Sequence, residues 1–250
     1  MAGTYEHTDD FRDARFTDVD LAGARFLACD LSGVRIRGAA LVDVRISGDL
    51  DRLVVNDVDV TAYVAAELDR RHPERVRVRR MSTADDHRAT CPAIERRWAE
   101  TVARAERLPE TARHERVDEE WSFVETLRHL VFATDLWARH MIVGDPEPYH
   151  RLALPPTDYP AEDEAALDLD RDARPSYAAV LAVRAGRMAL VRGIVDRLTD
   201  EELDRICPGP LPAAWEESPQ PVGECLRVIM QEEIEHRRYA ERDLAVLAAR

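Results

Sequence analysis

The chain has 250 residues, of which 45% are hydrophobic, and a formal net charge of -14 at pH 7. This length allows one large domain or two modest ones, each with a core of its own. The negative charge argues against nucleic-acid binding, because contact with phosphates relies on clusters of Lys and Arg. All 35 basic residues are arginine, which indicates a GC-rich genome.

The sequence carries no pattern typical of membrane insertion or secretion. No stretch approaches the roughly 18 apolar residues of a membrane-spanning helix, and the first residues, MAGTYEHTDDF, lack the basic and apolar regions of a signal peptide. We therefore expect a soluble cytoplasmic protein without membrane contact. Four cysteines lie far apart without a CxxC spacing, which in a cytosolic chain argues against disulfides and a thiolate zinc site: Cys29, Cys91, Cys207 and Cys225.

Apolar residues recur at every fifth position near the start of the chain: Phe11, Phe16, Leu21, Phe26, Leu31, Ile36, Leu41 and Ile46. All but the first of these follow a small or β-branched residue by two places: Ala14, Val19, Ala24, Cys29, Val34, Ala39 and Val44. Neither a helix nor a strand has this period, and it predicts a square-sided β-solenoid with both sets of residues stacked inward. The segment resembles the pentapeptide-repeat family, which implies a short stack of about two coils.

The next segment joins the repeat to the rest of the chain. The alternating stretch LVVNDVDV, residues 53–60, predicts strand structure, and a short helix follows that ends near His72 and Pro73. We interpret this piece as a cap and RVRVRRMSTADD, residues 75–86, as a linker. The predicted domains are therefore a pentapeptide-repeat β-solenoid with its capping strand and helix over residues 1–80, and a helical domain over residues 81–250.

A period near 3.6 then predicts four long helices, over residues 84–107, 122–142, 174–198 and 219–248, with a short turn over 199–206. This pattern is typical of a four-helix bundle. The second helix has the clearest start, because Ser122 followed by Glu125 makes a capping box. The prolines after that helix indicate a long connection, which fits one crossover in the bundle.

Polar residues interrupt the apolar face of the last helix at Glu232, Glu233 and His236. Glu232 and His236 are one helical turn apart, the arrangement by which bundle proteins project metal ligands inward. His129, in the apolar middle of the second helix, is the natural third ligand, because an unpaired imidazole is costly to bury. The three residues make a facial triad suited to zinc, nickel or iron(II), with positions left open for water or substrate.

Three alternatives stay open on spacing alone. Glu233 also shares a face with His236 and can replace Glu232 as the ligand. Glu232 and His236 can instead form an ordinary surface pair. His129 can be hydrogen-bonded within the core, as a single His inside an apolar helix commonly is.

Three stretches of the helical half carry a family likeness: WSFVETLRHLVFATDLWARH (121–140), PSYAAVLAVRAGRMALV (175–191) and VGECLRVIMQEEIEHRRYAERDL (222–244). With them, residues 84–248 resemble the DinB family of four-helix bundles and the related mycothiol-dependent maleylpyruvate isomerases and bacillithiol transferases. That family binds a divalent metal through one His in the second helix and a His-xxx-His pair, followed by Arg, in the last. His129 matches the first position, His236 with Arg237 matches the last, and Glu232 stands where the family usually has histidine.

The resemblance implies a divalent-metal-dependent enzyme, with zinc as the expected ion and nickel or iron as the other candidates. The implied reaction is transfer or isomerisation of a small-molecule substrate by a low-molecular-weight thiol, which in a GC-rich organism of actinobacterial type would be mycothiol. Metal-assisted hydrolysis uses the same site with water as the nucleophile. The rival interpretation is a non-catalytic, binding or stress-associated scaffold whose solenoid docks a partner. A homodimer through an exposed bundle face is compatible with either interpretation.

Other residues are candidates of second rank. Arg139, Arg238 and Arg242 are candidates for contact with an anionic substrate. His140 lies three turns beyond His129 on the same predicted face. Four tryptophans are interpreted as core and loop anchors: Trp98, Trp121, Trp137 and Trp215.

Overall fold

The structure, a computed structural model, describes residues 3–6, 8–157, 159, 164, 167, 169–209 and 219–250. Its contacts divide the chain into two compact units, Met1–Arg45 and Ile46–Arg250. This division falls earlier than the predicted boundary at residue 80, because a helix that follows the repeat packs on the bundle.

In the first unit, the backbone takes a left-handed φ at every fifth residue: Asp13, Asp18, Gly23, Ala28, Gly33, Gly38 and Asp43. Each of these positions follows an apolar repeat residue by two places. Turns close at the apolar residues, where the Ala24 N–H donates to the Leu21 carbonyl at 3.0 Å and the Val34 N–H donates to the Leu31 carbonyl at 3.1 Å. The five-residue repeat of the sequence is therefore also a period of the backbone.

The predicted solenoid is not confirmed. The sheet found among the described residues is a two-stranded hairpin in the second unit, and the apolar repeat residues, Phe11 to Ile46, are 43 to 63% exposed. Solenoids bury their core between stacked repeats. A repeat as short as this one has few neighbouring units against which to bury its side chains.

The second unit begins with a tight hairpin. Strands β1 (Val54–Val55) and β2 (Val58–Asp59) pair antiparallel. Asn56 and Asp57 connect them with φ values of 48° and 64°, the left-handed pair that a two-residue type I′ turn requires. The alternating pattern in the sequence thus corresponds to a hairpin.

Two helices follow the hairpin, α1 (Thr61–Arg71) and α2 (Pro73–Arg80). The first is the predicted short helix. The prediction of a linker from residue 75 is wrong, because the chain is helical through residue 80. Pro73 occupies the first turn of α2, where proline removes no intrahelical hydrogen bond. Val78 is 2% exposed, and α2 packs on the last helix of the chain.

Four long helices form the predicted bundle: α3 (Ala84–Ala105), α4 (Phe123–Thr134), α5 (Tyr177–Arg197) and, after the short α6 (Asp200–Leu203), α7 (Val222–Ala248). Both α3 and α4 pack on α5 and α7. Their common core includes Leu127, Val180, Leu226 and Met230, each at most 2% exposed. Within the described ranges, no helix combines the length and the apolar character that crossing a membrane requires.

The capping box predicted for the second long helix is present at the start of α4. The Ser122 N–H donates to Glu125 Oε2 at 2.9 Å, and the Glu125 N–H donates to Ser122 Oγ at 3.3 Å. Arg116 donates to both oxygens of the same carboxylate. The register of α4, and with it the direction of each side chain on the helix, is set at this point.

The predicted helix over residues 122–142 changes type near its middle. It is α-helical to Thr134 and continues as a π-helix over Asp135–Val143. Asp135 is fully buried at the junction and accepts hydrogen bonds from the His150 N–H and the Arg187 side chain. The wider π-turn rotates the last residues of this segment away from the face that an α-helix would give them.

Candidate metal centre

Three side chains from two helices meet on one side of the bundle. His129 lies on α4, while Glu232 and His236 lie one turn apart on α7. One nitrogen or oxygen atom from each residue lies within 4.8 Å of the others. The structure therefore brings together the three side chains that the sequence selects as a metal triad.

His129 has one ring nitrogen held by the backbone. Its Nδ1 atom lies 3.1 Å from the carbonyl oxygen of Leu154. A carbonyl oxygen only accepts hydrogen bonds, so Nδ1 carries the proton that this contact needs. The other ring nitrogen, Nε2, then has a free lone pair, as a metal-binding imidazole requires.

The lone pair of His129 faces a carboxylate. Its Nε2 atom lies 3.3 Å from Glu232 Oε2. Two hydrogen-bond acceptors in contact repel each other unless a cation lies between them. Burial lowers the pKa of His129, which is 6% exposed, and so opposes a proton as that cation. The donor set of this site therefore fits a divalent metal ion.

Glu232 connects the two imidazoles. Its Oε2 atom also lies 3.0 Å from His236 Nε2. Burial alone would raise the pKa of Glu232, but a hydrogen bond from His236 helps to hold this pKa below its usual value. The side chains of Glu232 and His236 are 33% and 19% exposed, so the site combines an ionised carboxylate with access for small solutes.

Trp121 forms one wall of the site. The centre of its ring system lies 4.7 Å from the His129 ring and 5.9 Å from the His236 ring, and the two imidazole centres are 4.5 Å apart. The interpretation of Trp121 as a core or loop anchor therefore missed its place beside the triad. Its position just before the cap of α4 carries no signal of contact with a ring on α7.

A buried arginine holds the backbone that supports His129. Arg128 is 1% exposed and donates to four carbonyl oxygens of the connection after α4, including that of Leu152 at 2.9 Å. The Leu154 N–H in turn donates to the Arg128 carbonyl at 3.2 Å. The connection is thus fixed at the residue whose carbonyl orients His129. In the sequence, the only indication of this role was a charged residue within the apolar stretch LRHLVF.

Glu233 takes no part in the cluster. Its carboxylate pairs with Arg184 of α5, and the two residues are 7% and 3% exposed. The Arg184 guanidinium lies 5.0 Å from the centre of the Trp98 ring system. Of the two acidic residues that the spacing allows, Glu232 is the one beside both histidines.

The candidates of second rank lie in other contacts. His140 belongs to the π-helix, and its ring centre lies 6.5 Å from that of Tyr149. The prediction that His140 shares a helix face with His129 assumed an unbroken α-helix. Trp98 and Trp137 pack in the bundle core as interpreted, and Trp215 lies outside the described residues.

The three arginines proposed to contact an anionic substrate each have a carboxylate partner. Arg139 pairs with Asp145 at 2.5 Å. Arg238 pairs with Glu235 at 3.0 Å, and Arg242 pairs with Glu120 at 2.6 Å. Each of the three guanidinium groups therefore has an ion-pair partner within the protein and needs no anionic substrate as a partner.

Two family models match separate parts of the chain. A model of the DinB superfamily matches residues 93–240, which include all three residues of the cluster. A model of pentapeptide repeats matches residues 10–48 in eight copies. The chain has no match among curated proteins and none among solved structures.

Proposed function

The chain belongs to the DinB superfamily, and we propose that it is a metal-dependent enzyme in which His129, Glu232 and His236 hold a divalent ion. The observation that carries this proposal is the contact between His129 Nε2 and Glu232 Oε2, two acceptors 3.3 Å apart. Two imidazoles and a carboxylate suit zinc first, and nickel or iron(II) also accept this set.

The chain's own residues support such a site in three ways. The Leu154 carbonyl holds His129 in the tautomer with a free Nε2. Trp121 shields the two imidazoles on one side. Three protein ligands leave at least one position open, and the partial exposure of Glu232 gives small molecules access to it.

We infer that the reacting nucleophile is a low-molecular-weight thiol. A bound divalent ion lowers the pKa of a coordinated thiol or water and so supplies a nucleophile at neutral pH. The support for the thiol is the likeness of the helical half to the thiol-dependent isomerases and transferases. Mycothiol is the first thiol to test. Transfer to, or isomerisation of, a small electrophilic substrate is the proposed reaction.

An assay with and without thiol tests this proposal. The zinc-loaded chain is incubated with mycothiol and a chromogenic electrophile, and separately with a chromogenic ester and no thiol. Turnover that needs both thiol and zinc, and that is lost in His236→Ala, supports the thiol-dependent enzyme. Turnover of the ester alone assigns the site to hydrolysis. A folded, zinc-loaded chain without activity towards any substrate of a broad panel contradicts the enzyme and favours the scaffold.

For the first unit we propose a short square solenoid with a corner at each repeat. The support is the left-handed φ that recurs every fifth residue, from Asp13 to Asp43. Phe16→Asp and Phe26→Asp in the full chain are then expected to speed amide hydrogen exchange across residues 8–48. Exchange that is equally fast in the unaltered chain and in both variants contradicts the solenoid.

A further inference from the structure

Two cysteines that are distant in the sequence touch in the structure. Cys207 follows α6, and Cys225 lies in the first turn of α7. Their Sγ atoms are 3.5 Å apart, although the residues are separated by 18 positions. A disulfide bond is about 2.05 Å long, so small movements of the two side chains bring these sulfurs to bonding distance.

The backbone holds the two cysteines in place from both sides. The Cys207 N–H donates to the Gln220 carbonyl at 2.9 Å, and the Val222 N–H donates to the Arg205 carbonyl at 2.9 Å. These bonds tie the segment that contains Cys207 to the residues that lead into α7. The two thiols are therefore kept together before any covalent bond forms.

The two thiols differ in reactivity. The hydrogen bond between the two sulfurs lowers the pKa of Cys207. That same bond and burial raise the pKa of Cys225. Cys207 is 8% exposed and Cys225 is fully buried. Cys207 is thus the thiol that a small oxidant reaches first, and Cys225 is placed to react second.

We propose that Cys207 and Cys225 form a reversible intrachain disulfide when the protein meets a hydroperoxide. The Cys207 thiolate attacks the O–O bond of hydrogen peroxide, which leaves a sulfenic acid on Cys207 and releases hydroxide. The Cys225 sulfur then attacks the Cys207 sulfur, a water molecule leaves, and the S–S bond forms. The proton of Cys225 departs with this water. The two sulfurs together lose two electrons, which the peroxide gains.

The bond would join the segment after α6 to the start of α7, the helix that carries Glu232 and His236. Closing the loop between the cysteines removes conformational freedom from the unfolded chain. Oxidation is therefore expected to raise the unfolding temperature. This inference stands whether or not the triad binds a metal, because it rests on different residues.

Mass spectrometry of the full chain tests the proposal directly. Arg205 and Arg227 flank both cysteines, so trypsin releases them in one peptide, residues 206–227. A Cys29→Ser background removes an exposed thiol. After treatment with hydrogen peroxide, alkylation and digestion, we expect this peptide to be unalkylated and two hydrogens lighter. Dithiothreitol should restore both alkylation sites.

Two controls distinguish the proposed order of events. In Cys225→Ser, oxidation should stop at the Cys207 sulfenic acid, which dimedone traps. Cys91 should stay reduced throughout, because burial raises its pKa to about 12 and so keeps its thiol from reacting with peroxide. Full alkylation of peptide 206–227 in the peroxide-treated, folded Cys29→Ser chain would overturn the proposal and leave an ordinary thiol–thiol contact. This readout does not depend on whether Cys225→Ser folds.

Discussion

The Nδ1 atom of His129 lies 3.1 Å from the carbonyl oxygen of Leu154, and this contact determines what the opposite nitrogen can do. Because the carbonyl can only accept, Nε2 is left as an acceptor that points at Glu232. A buried imidazole and a carboxylate then face each other as two acceptors. This relationship links the fold of the connection after α4 to the proposed metal chemistry.

Replacing Glu232 with Gln should change the stability of the chain in opposite directions with and without bound metal. The Gln amide can donate to His129 Nε2, so the variant in chelator should be more stable than the unaltered chain by about 1 kcal/mol. With zinc the order should reverse, because the variant loses a charged ligand and at least about 100-fold in affinity. Thermal unfolding in EDTA and in zinc measures both effects. Equal unfolding temperatures for the two proteins in both buffers would contradict the account.

Replacing Arg128 with Met should weaken the site without altering a ligand. The variant removes the hydrogen bonds that Arg128 donates to four carbonyl oxygens of the connection, which costs about 3 kcal/mol or more. The Leu154 carbonyl then holds His129 less firmly, and zinc affinity should fall about 10- to 100-fold. Calorimetric titration with zinc and urea unfolding measure the two losses. The exposed Arg197→Met, at the end of α5, is the control, and zinc affinity equal to that of this control would count against the positioning role.

Trp121 should report metal binding by fluorescence. Its ring system lies 4.7 Å from the His129 ring, a distance at which bound Cu²⁺ or Ni²⁺ quenches the excited indole. Titration with either ion should therefore lower the emission of the unaltered chain in a saturable way. Trp121→Phe should remove most of this change and keep the metal affinity within a few fold. Quenching of the same amplitude in Trp121→Phe would place the ion near another tryptophan.

Glu125 should contribute stability that is lost in acid. Burial alone would raise its pKa, but hydrogen bonds from Arg116 and Ser122 lower it to about 2, against a usual value of 4.5. Between these values the unfolded chain binds more protons, so this contribution is complete above about pH 4.5 and falls towards pH 2. Its size is about 3 kcal/mol.

Urea unfolding from pH 6 to pH 3 measures this dependence. Glu125→Gln should be less stable at pH 6 and should lose less stability on acidification than the unaltered chain. Glu110→Gln, at an exposed position, is the matched control and should keep the unaltered slope. Identical slopes for Glu125→Gln and the control would show that the carboxylate does not act in this way.

The bundle and the triad could be predicted because their signals are local. Helix α7 shows the apolar period directly in its sequence, and the spacing of Glu232 and His236 depends only on helix geometry. The capping box at Ser122 likewise involves residues three positions apart. The five-residue period of the first unit was equally visible, since each repeat bears its own apolar residue.

The remaining features depend on contacts between distant residues. The Leu154 carbonyl lies 25 positions from His129, and the partner of Cys207 lies 18 positions away. Nothing in the local sequence of either residue indicates its neighbour. Helix α2 was missed because its arginine-rich sequence has little apolar period, and its packing on α7 is a tertiary contact. The π-helix after Thr134 has no sequence pattern of its own.

Elemental analysis of the purified chain tests the central claim most directly. The unaltered protein and His236→Ala are compared with His114→Ala, a matched control at an exposed histidine outside the cluster. We predict about one zinc, nickel or iron ion per chain, retained in His114→Ala and lost in His236→Ala. A folded, unaltered chain that contains no such ion and takes up none when each is offered would contradict the metal centre.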